Sequence, residues 1–471
     1  MLLCWLPIPL GSNRSWAWAI LEVGVFGLAS AWLIAWLLGR MQSTEPFRRA
    51  RWLLGLMAIW LVYQAIYLIP LPLTWVAAIS PEAANVHALT LSFSSDAMWP
   101  LALDLYAAQV SWLKSLAYVL VFMLTLLLVT SRDRVKQLAY VWVLWALVIA
   151  VYGILLHLTD VTHNWFGTVI AHGPQASATY ANRNHFAGYL VMTLSIGVGL
   201  LIAGLRDRRA TTWRQFLAHL LEWLFSTKMM LRLTLCILVI ALVSTHSRMG
   251  NTSFFAALMI AGVIGLAMSR HATRGTVVLL VSLIAIDIFI VGSWFGVDKL
   301  ADRIENTAMV RQVSSGGAPT GEESVEARLD PSSNGLNMIR DFPLIGVGPG
   351  AWYSAFPRYR GPELERFFDY THNDYIQFAA ESGLIGLSLV GLIVLWCFIV
   401  ALIAQYRRRD PLMRGIAFAS VMSIMAMMIH SSVDFNLQIP SNASLFMVIL
   451  AMAWIACYMD HHSSPNSRQD S

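Results

Sequence analysis

A histidine, a few arginines and two aspartates hold most of the chemistry that this chain of 471 residues offers. His372 lies in the run Asp369-Tyr370-Thr371-His372-Asn373-Asp374. An ordinary histidine titrates at about pH 6.5, so a neutral imidazole is available near neutrality to take a proton from a hydroxyl. Asp369, His372 and Asp374 also form a D-x-x-H-x-D cluster of the type that holds Mg²⁺ or Mn²⁺. Hard divalent ions want several oxygen ligands and nothing nearby in the sequence completes the shell, so neither metal nor cofactor is expected. Arg183 and Arg248 stand in stretches nearly free of other basic residues. A guanidinium keeps its charge at any relevant pH and meets phosphate oxygens in pairs, which makes both candidates for an anion site. Arg358 and Arg360 are further candidates, set against the plain reading of solvated loop arginines. Beside Arg183, His185 either helps to hold an anion or caps a helix, and Asn182 and Asn184 either bond sugar hydroxyls or close a turn.

These residues must be positioned by membrane helices. The chain is 57% hydrophobic and 13% charged, with a mean hydropathy of +0.61, against roughly 45–50% and about 25% for soluble domains. Disorder, collagen and a disulfide-rich secreted scaffold are excluded. The apolar residues gather in long runs, the mark of a polytopic membrane protein. The net charge of +5 comes from 32 Lys and Arg against 27 Asp and Glu. No basic stripe with interleaved aromatics accompanies it, so nucleic acid is not an expected partner. Cys4, Cys236, Cys397 and Cys457 show no CxxC spacing and read as small apolar residues.

About eleven runs are long enough to span: 16–38, 52–71, 110–129, 138–158, 185–205, 231–243, 252–268, 276–294, 383–404, 414–432 and 443–459. The segment 1–10 is too short, and is the stub of a twelfth helix if the true start lies upstream. It lacks the basic n-region of a cleaved signal. Positive clusters occupy alternate links: Arg40, Arg48, Arg49 and Arg51; Arg132, Arg134 and Lys136; Arg206, Arg208, Arg209 and Arg214; Arg270 and Arg274; Arg407, Arg408, Arg409 and Arg414. The links 72–109 and 434–442 have no Lys or Arg, and 159–184 has only Arg183. The positive-inside rule then puts residues 295–382 outside, in the periplasm of a bacterium, and the tail 460–471 in the cytoplasm. The expected organisation is N-terminal transmembrane helices over 1–294, a periplasmic loop over 295–382, C-terminal transmembrane helices over 383–459 and a cytoplasmic tail over 460–471. Both arginines fall at periplasmic helix ends.

In the long loop, 314–324 is expected to be mobile, 324–343 to form an amphipathic helix, and Gly346–Gly350 a flexible turn. The last is no dinucleotide fingerprint, since no strand and helix flank it. Glu22, Asp287 and His430 sit inside spans, where a charge is costly and wants a partner. His430 and Asp434 are one helical turn apart and can bond to each other. Structural networking is the favoured reading of these four, with a proton path as the other.

His372-Asn373-Asp374-Tyr375, followed by Glu381-Ser382-Gly383-Leu384-Ile385-Gly386, resembles the core of the O-antigen ligase and polymerase superfamily. The likeness extends in order to Pro9-Leu10-Gly11-Ser12-Asn13-Arg14, Tyr180-Ala181-Asn182-Arg183-Asn184-His185-Phe186-Ala187, Ser247-Arg248, Gly346-Val347-Gly348-Pro349-Gly350 and His430-Ser431-Ser432-Val433-Asp434-Phe435. It implies an all-α, GT-C-like membrane protein of about 11–12 transmembrane helices with one large periplasmic loop containing short helices. It implies a metal-independent glycosyltransferase of ligase type in the bacterial inner membrane, moving a glycan from an undecaprenyl-pyrophosphate carrier to lipid A–core or a similar hydroxyl acceptor. Catalytic roles fall to His372 and Arg248, donor pyrophosphate binding to Arg183, Arg248 and Arg360, and supporting roles to Asn373, Asp374, His185 and Asn184. An O-antigen polymerase or a protein O-oligosaccharyltransferase of the same superfamily is the alternative. A polysaccharide or lipid flippase or permease is the alternative from another class, although no internal repeat of the transporter kind is found.

Overall fold

The computed structural model describes residues 1–89, 98–159, 161, 163–165, 175–204, 227–268, 281–282, 325–361 and 368–459. Among them, eight helices are long and apolar enough to cross a membrane: α2 (Ser15–Leu37), α7 (Leu105–Leu128), α8 (Arg132–Leu158), α9 (Arg183–Gly204), α11 (Arg248–Met268), α14 (Asp374–Arg407), α15 (Pro411–His430) and α16 (Pro440–Tyr458). Two shorter apolar helices, α4 (Arg51–Ile66) and α10 (Thr227–Ser244), lie beside them. The chain is a multi-pass, all-helical membrane protein. Short helices α1 (Leu2–Trp5), α3 (Glu45–Arg49), α5 (Leu73–Ile79), α6 (Pro81–Ala88), α12 (Val325–Asp341) and α13 (Trp352–Ala355) fill the links. A two-residue ladder pairs β1 (Leu71–Pro72) with β2 (Met98–Trp99). The expected span 276–294, with Asp287, and the segments 314–324 and 460–471 lie outside the described residues, apart from 281–282.

The centre of the bundle is built from α9, α15 and α16. In their apolar windows 89%, 78% and 83% of the residues are buried, against 11% in α2, which is therefore a peripheral helix. Lipid tails are as apolar as leucine, so close backbone approach rather than hydrophobic exclusion joins such helices. Gly199 and Gly415 provide it, since a Cβ on either would strike the carbonyl of the other.

The helix termini fall into two groups. Arg51, Arg132 and Pro411 start helices at one end, where Arg132 Nη2 meets Asp410 Oδ1 at 3.0 Å. Arg183, Arg248, Asp374 and Pro440 start helices at the other. There a lobe covers the bundle, with a second core that includes Tyr67, Val76, Leu101, Met338, Phe342 and Trp352. The lobe is thus shared: the link after α4 contributes α5, α6 and the ladder, and α12 and α13 complete it. Arg358 Nη2 reaches Glu82 Oε1 at 2.5 Å across this junction. Glu82's carboxyl is held below its ordinary value, by a hydrogen bond from Asn85 and by Arg358.

The glycine turn is pinned rather than flexible. Val347 N–H donates to the Ala380 carbonyl (2.9 Å), Gly348 N–H to the Glu381 carbonyl (2.9 Å) and Gly350 N–H to Glu381 Oε2 (2.9 Å). Beneath it α14 breaks its regular course at Gly383 (φ +64°, ψ −178°), and the Leu384 amide donates to the Pro343 carbonyl instead. That backbone region is essentially closed to residues with a Cβ, and a Cβ here would also collide with the Leu344 carbonyl. Gly383→Ala is therefore expected to destabilise the lobe, by about 1–3 kcal/mol from the backbone alone. Gly391, in the same helix with nothing within 4 Å of an added Cβ, is the control. The melting temperatures of the two detergent-solubilised alanine variants check this.

Candidate active site

The site grows from the start of α14. Asn373 caps that helix by accepting from the Ile376 amide at 3.1 Å, and its Nδ2 donates to the Ser432 carbonyl at 2.8 Å. The Thr371 amide donates to Gln377 Oε1 at 2.9 Å, and the Ser332 hydroxyl to the Thr371 carbonyl at 2.8 Å. His372, wedged between these fixed neighbours, is 9% exposed and takes a left-handed conformation (φ +56°). Non-glycine residues adopt it rarely, and histidine is among those that tolerate it. Its ring meets Phe435 edge-on at 4.9 Å and Phe368 at 6.1 Å.

Asp374 also points into the loop between α15 and α16, to which Phe435 belongs. Its Oδ2 accepts from the Ser431 hydroxyl (2.7 Å) and the Leu437 amide (3.1 Å), and its Oδ1 from Gln438 Nε2 (3.3 Å). Its amide donates to the carbonyls of Ser431 and Asp434. The carboxylate thereby staples the start of α14 to the loop after α15.

Asp434 is the electrostatic centre. It is fully buried, with Oδ1 3.5 Å from His185 Nε2 and Oδ2 4.0 Å from His430 Nε2. Burial pushes its carboxyl up, but hydrogen bonding and charge from His185, with further charge from His430 and His372, hold it well below the ordinary carboxylate range. Phe435 joins the same groups on its apolar side: His185 stands edge-on at 4.6 Å and Tyr370 stacks on it at 4.5 Å. Asn442 Nδ2 fixes the arrangement by donating to the His185 carbonyl (2.9 Å) and to Asn436 Oδ1 (3.0 Å).

Arg183 is the first residue of α9, two before His185, and is half-buried. Asn184 is buried, and its amide donates to Asn182 Oδ1 at 2.8 Å. Arg248 is the exposed first residue of α11. Gly250 holds that turn against α9, since a Cβ on it would lie 2.6 Å from Ala187. The starts of α9, α11 and α14 thus share one end of the bundle, where the helix dipoles favour anions. Arg360 is different. It is exposed at the end of the turn Phe356–Arg358, and among the described residues nothing joins it to His372.

Residues 233–391 match the family model described as O-antigen ligase. The match supports membership of the O-antigen ligase superfamily. A search of curated proteins finds no match to the chain. The matched segment contains Arg248 and His372 but ends before Asp434 and starts after His185, so the family likeness alone does not draw those two into the site.

Sequence spacing links His430 with Asp434, and the structure places His185 closer to that carboxylate. Tyr370, Phe435 and Glu381 join the site through aromatic packing and loop-latching, which have no sequence spacing of their own.

Proposed function

We propose that this protein is a ligase-type glycosyltransferase. It moves a glycan from undecaprenyl pyrophosphate to a hydroxyl of lipid A–core, or a similar acceptor, at the periplasmic face of the inner membrane, without a metal. The observation that carries the reading is the meeting of His372, Asp434 and His185 at the end of the bundle where α9 and α11 present Arg183 and Arg248. The acceptor oxygen attacks the anomeric carbon of the donor sugar, forming one C–O bond as the bond from that carbon to the phosphate oxygen breaks. His372 takes the hydroxyl proton, and undecaprenyl pyrophosphate leaves with the electron pair. Charge growing on the leaving diphosphate is met by Arg183 and Arg248, whose guanidinium forks suit phosphate oxygens. Arg360, out in the lobe, is assigned to the distal part of the donor head. The orientation follows the charges: Arg48, Arg49, Arg132 and Arg134 crowd the opposite end, which this reading makes cytoplasmic.

The test is reconstitution in nanodiscs with an undecaprenyl-pyrophosphate-linked glycan and lipid A–core. Transfer is expected in the wild type, and Asp287→Asn should retain it. Uptake that needs Asp287, with no transfer, would replace this reading by a coupled transporter. Loss of one charge-assisted contact costs about 1.5–3 kcal/mol, so Arg183→Ala and Arg248→Ala should each weaken transition-state binding roughly 10- to 100-fold, read from kcat/KM for the donor.

A further inference from the structure

The helices α4 and α14 stand side by side, and a Cβ on Gly386 of α14 would lie 3.2 Å from the Tyr63 ring and 3.3 Å from the Trp60 ring of α4. Away from that contact each carries exposed apolar residues at helical spacing. On α4 these are Ile59, Val62 and Ile66, continued by Ile69 beyond its end, and on α14 they are Ile385, Leu392, Leu395 and Ile399. Open apolar faces on membrane helices meet lipid tails. Both stripes reach the lobe, and there they do not stop. The Leu384 amide donates to the Pro343 carbonyl at 2.9 Å and the Ile385 amide to the Leu344 carbonyl at 3.3 Å. From the side of α4, the Tyr67 hydroxyl donates to the Ile345 carbonyl and the Tyr63 hydroxyl to the Ser382 carbonyl at 2.6 Å. The segment 343–345 is thus sewn to the ends of both stripes, and Leu344 stays 58% exposed there.

The link after α4 extends the same surface. From Trp52 to Pro81 the chain has no Asp, Glu, Lys or Arg, a stretch well beyond the about 20 residues that one span needs. The surplus is α5 and the approach to it. That helix buries Val76 in the core of the lobe and leaves Trp75, 62% exposed, and Ile79 open on its other side. An exposed indole is favoured where water meets lipid.

We propose that this side of the lobe is a membrane-docking surface, continuous with the lipid-facing stripes, on which Leu344, Trp75 and Ile79 enter the leaflet on the lobe side. They lie at the boundary between headgroups and acyl chains, where amphipathic segments bury their apolar face by about 5–10 Å. The docking is passed directly to the reacting end. Leu344 leads into the turn Gly346–Gly350, whose Gly348 and Gly350 amides bond Glu381 and whose Val347 amide bonds the Ala380 carbonyl in the first turns of α14. The surface therefore fixes, relative to the bilayer, the helix start that follows His372. A lipid-borne donor presents its head near that depth, so the transfer reading above gives the docking its use, although the docking itself does not rest on it.

Spin labels on the full-length protein in nanodiscs test it without any turnover. With Cys4, Cys236, Cys397 and Cys457 replaced by alanine, a nitroxide is attached singly at Leu344→Cys, Trp75→Cys or Ile79→Cys. Its collisions are measured with oxygen, which gathers in lipid, and with a nickel chelate, which stays in water. Leu392→Cys, on the open stripe of α14, is the lipid reference, and Asn85→Cys, exposed beside Glu82, is the water reference. The three labels should favour oxygen, with ratios nearer that of Leu392 than that of Asn85. Nickel-dominated collisions at 344 and 75 overturn the docking. So does protection from both reagents, since a protein surface would then cover the patch. Leu344→Asp should also lower kcat/KM for the undecaprenyl-pyrophosphate donor in nanodiscs about tenfold, in line with the loss of one buried leucine, and Leu344→Met should not. If the wild type transfers nothing, the label readings still decide the docking and only the transfer reading falls.

Discussion

His372→Ala should lower glycan transfer by about 10²–10⁴-fold, the usual contribution of a positioned general base, equivalent to roughly 2.7–5.4 kcal/mol of barrier. Binding of the undecaprenyl-pyrophosphate donor should be nearly untouched, because the imidazole stands at the Phe435 ring and the donor charge is assigned to Arg183 and Arg248. Small effects on folding are expected. The neighbours that shape the turn, Thr371, Asn373 and Gln377, hold one another by hydrogen bonds independent of the ring. Alanine will still have to take φ +56° there, so His372→Asn, whose side chain tolerates that conformation, is the better-folded companion. Both variants should show that loss of transfer and should melt close to the wild type. Transfer at full rate by either would remove the base from the mechanism.

The spans were legible because hydrocarbon thickness writes itself into run length, but run length reads the bilayer and not the helix. The run 138–158 predicts α8 only in part. The helix begins at Arg132, where Ser131 accepts from the Arg134 amide, and its charged first turns project past the apolar stretch. The same holds for α14, expected from 383 and observed from Asp374. Its start has a sequence signal, Asn373 as cap and Asp374 in the first turn, yet Gln377, Glu381 and Ser382 interrupt its apolar residues, so the long apolar run begins only at Gly383. The lobe was legible only in half. The link after α4 reads as a connector without Lys or Arg, and nothing local says that Val76 and Leu101 will share a core with Met338 and Trp352.

For the site, motif order singled out His372, Arg183, His185 and Asp374, and it could not tell which base belongs to which acid. His430 is four residues from Asp434, whereas His185 is 249 residues away, and the nearer nitrogen is that of His185. Packing decides the matter. Gly188 lets Asn436 come into contact with α9, so the loop that follows α15 lies against the start of that helix. No spacing within one segment encodes such an approach.

Asp434→Asn tests that pairing and should be the second-largest loss. The carboxylate is buried, charged and shared by His185, His430 and His372, with its titration held below the ordinary range. A depressed carboxyl adds stability that is present above its unfolded value of about 3.9 and is lost as pH falls through the folded value. At neutral pH the wild type has that contribution in full and the amide has none. Breaking a buried pair by removing one partner costs about 3–5 kcal/mol, and the uncharged amide, which keeps the shape, should cost somewhat less, seen as a lower melting temperature at pH 7. The difference between the two proteins should shrink as pH approaches the folded value. Catalysis adds an independent readout. A nearby negative charge favours the protonated imidazole of His372, and a base works only when neutral. Removing the charge should therefore shift the acid limb of the pH–rate profile to lower pH, while transfer at the plateau falls because His185 and Phe435 lose their anchor. A melting temperature that drops with no movement of the acid limb would make Asp434 a structural post alone, and the imidazole of His372 would then be governed by groups other than this carboxylate.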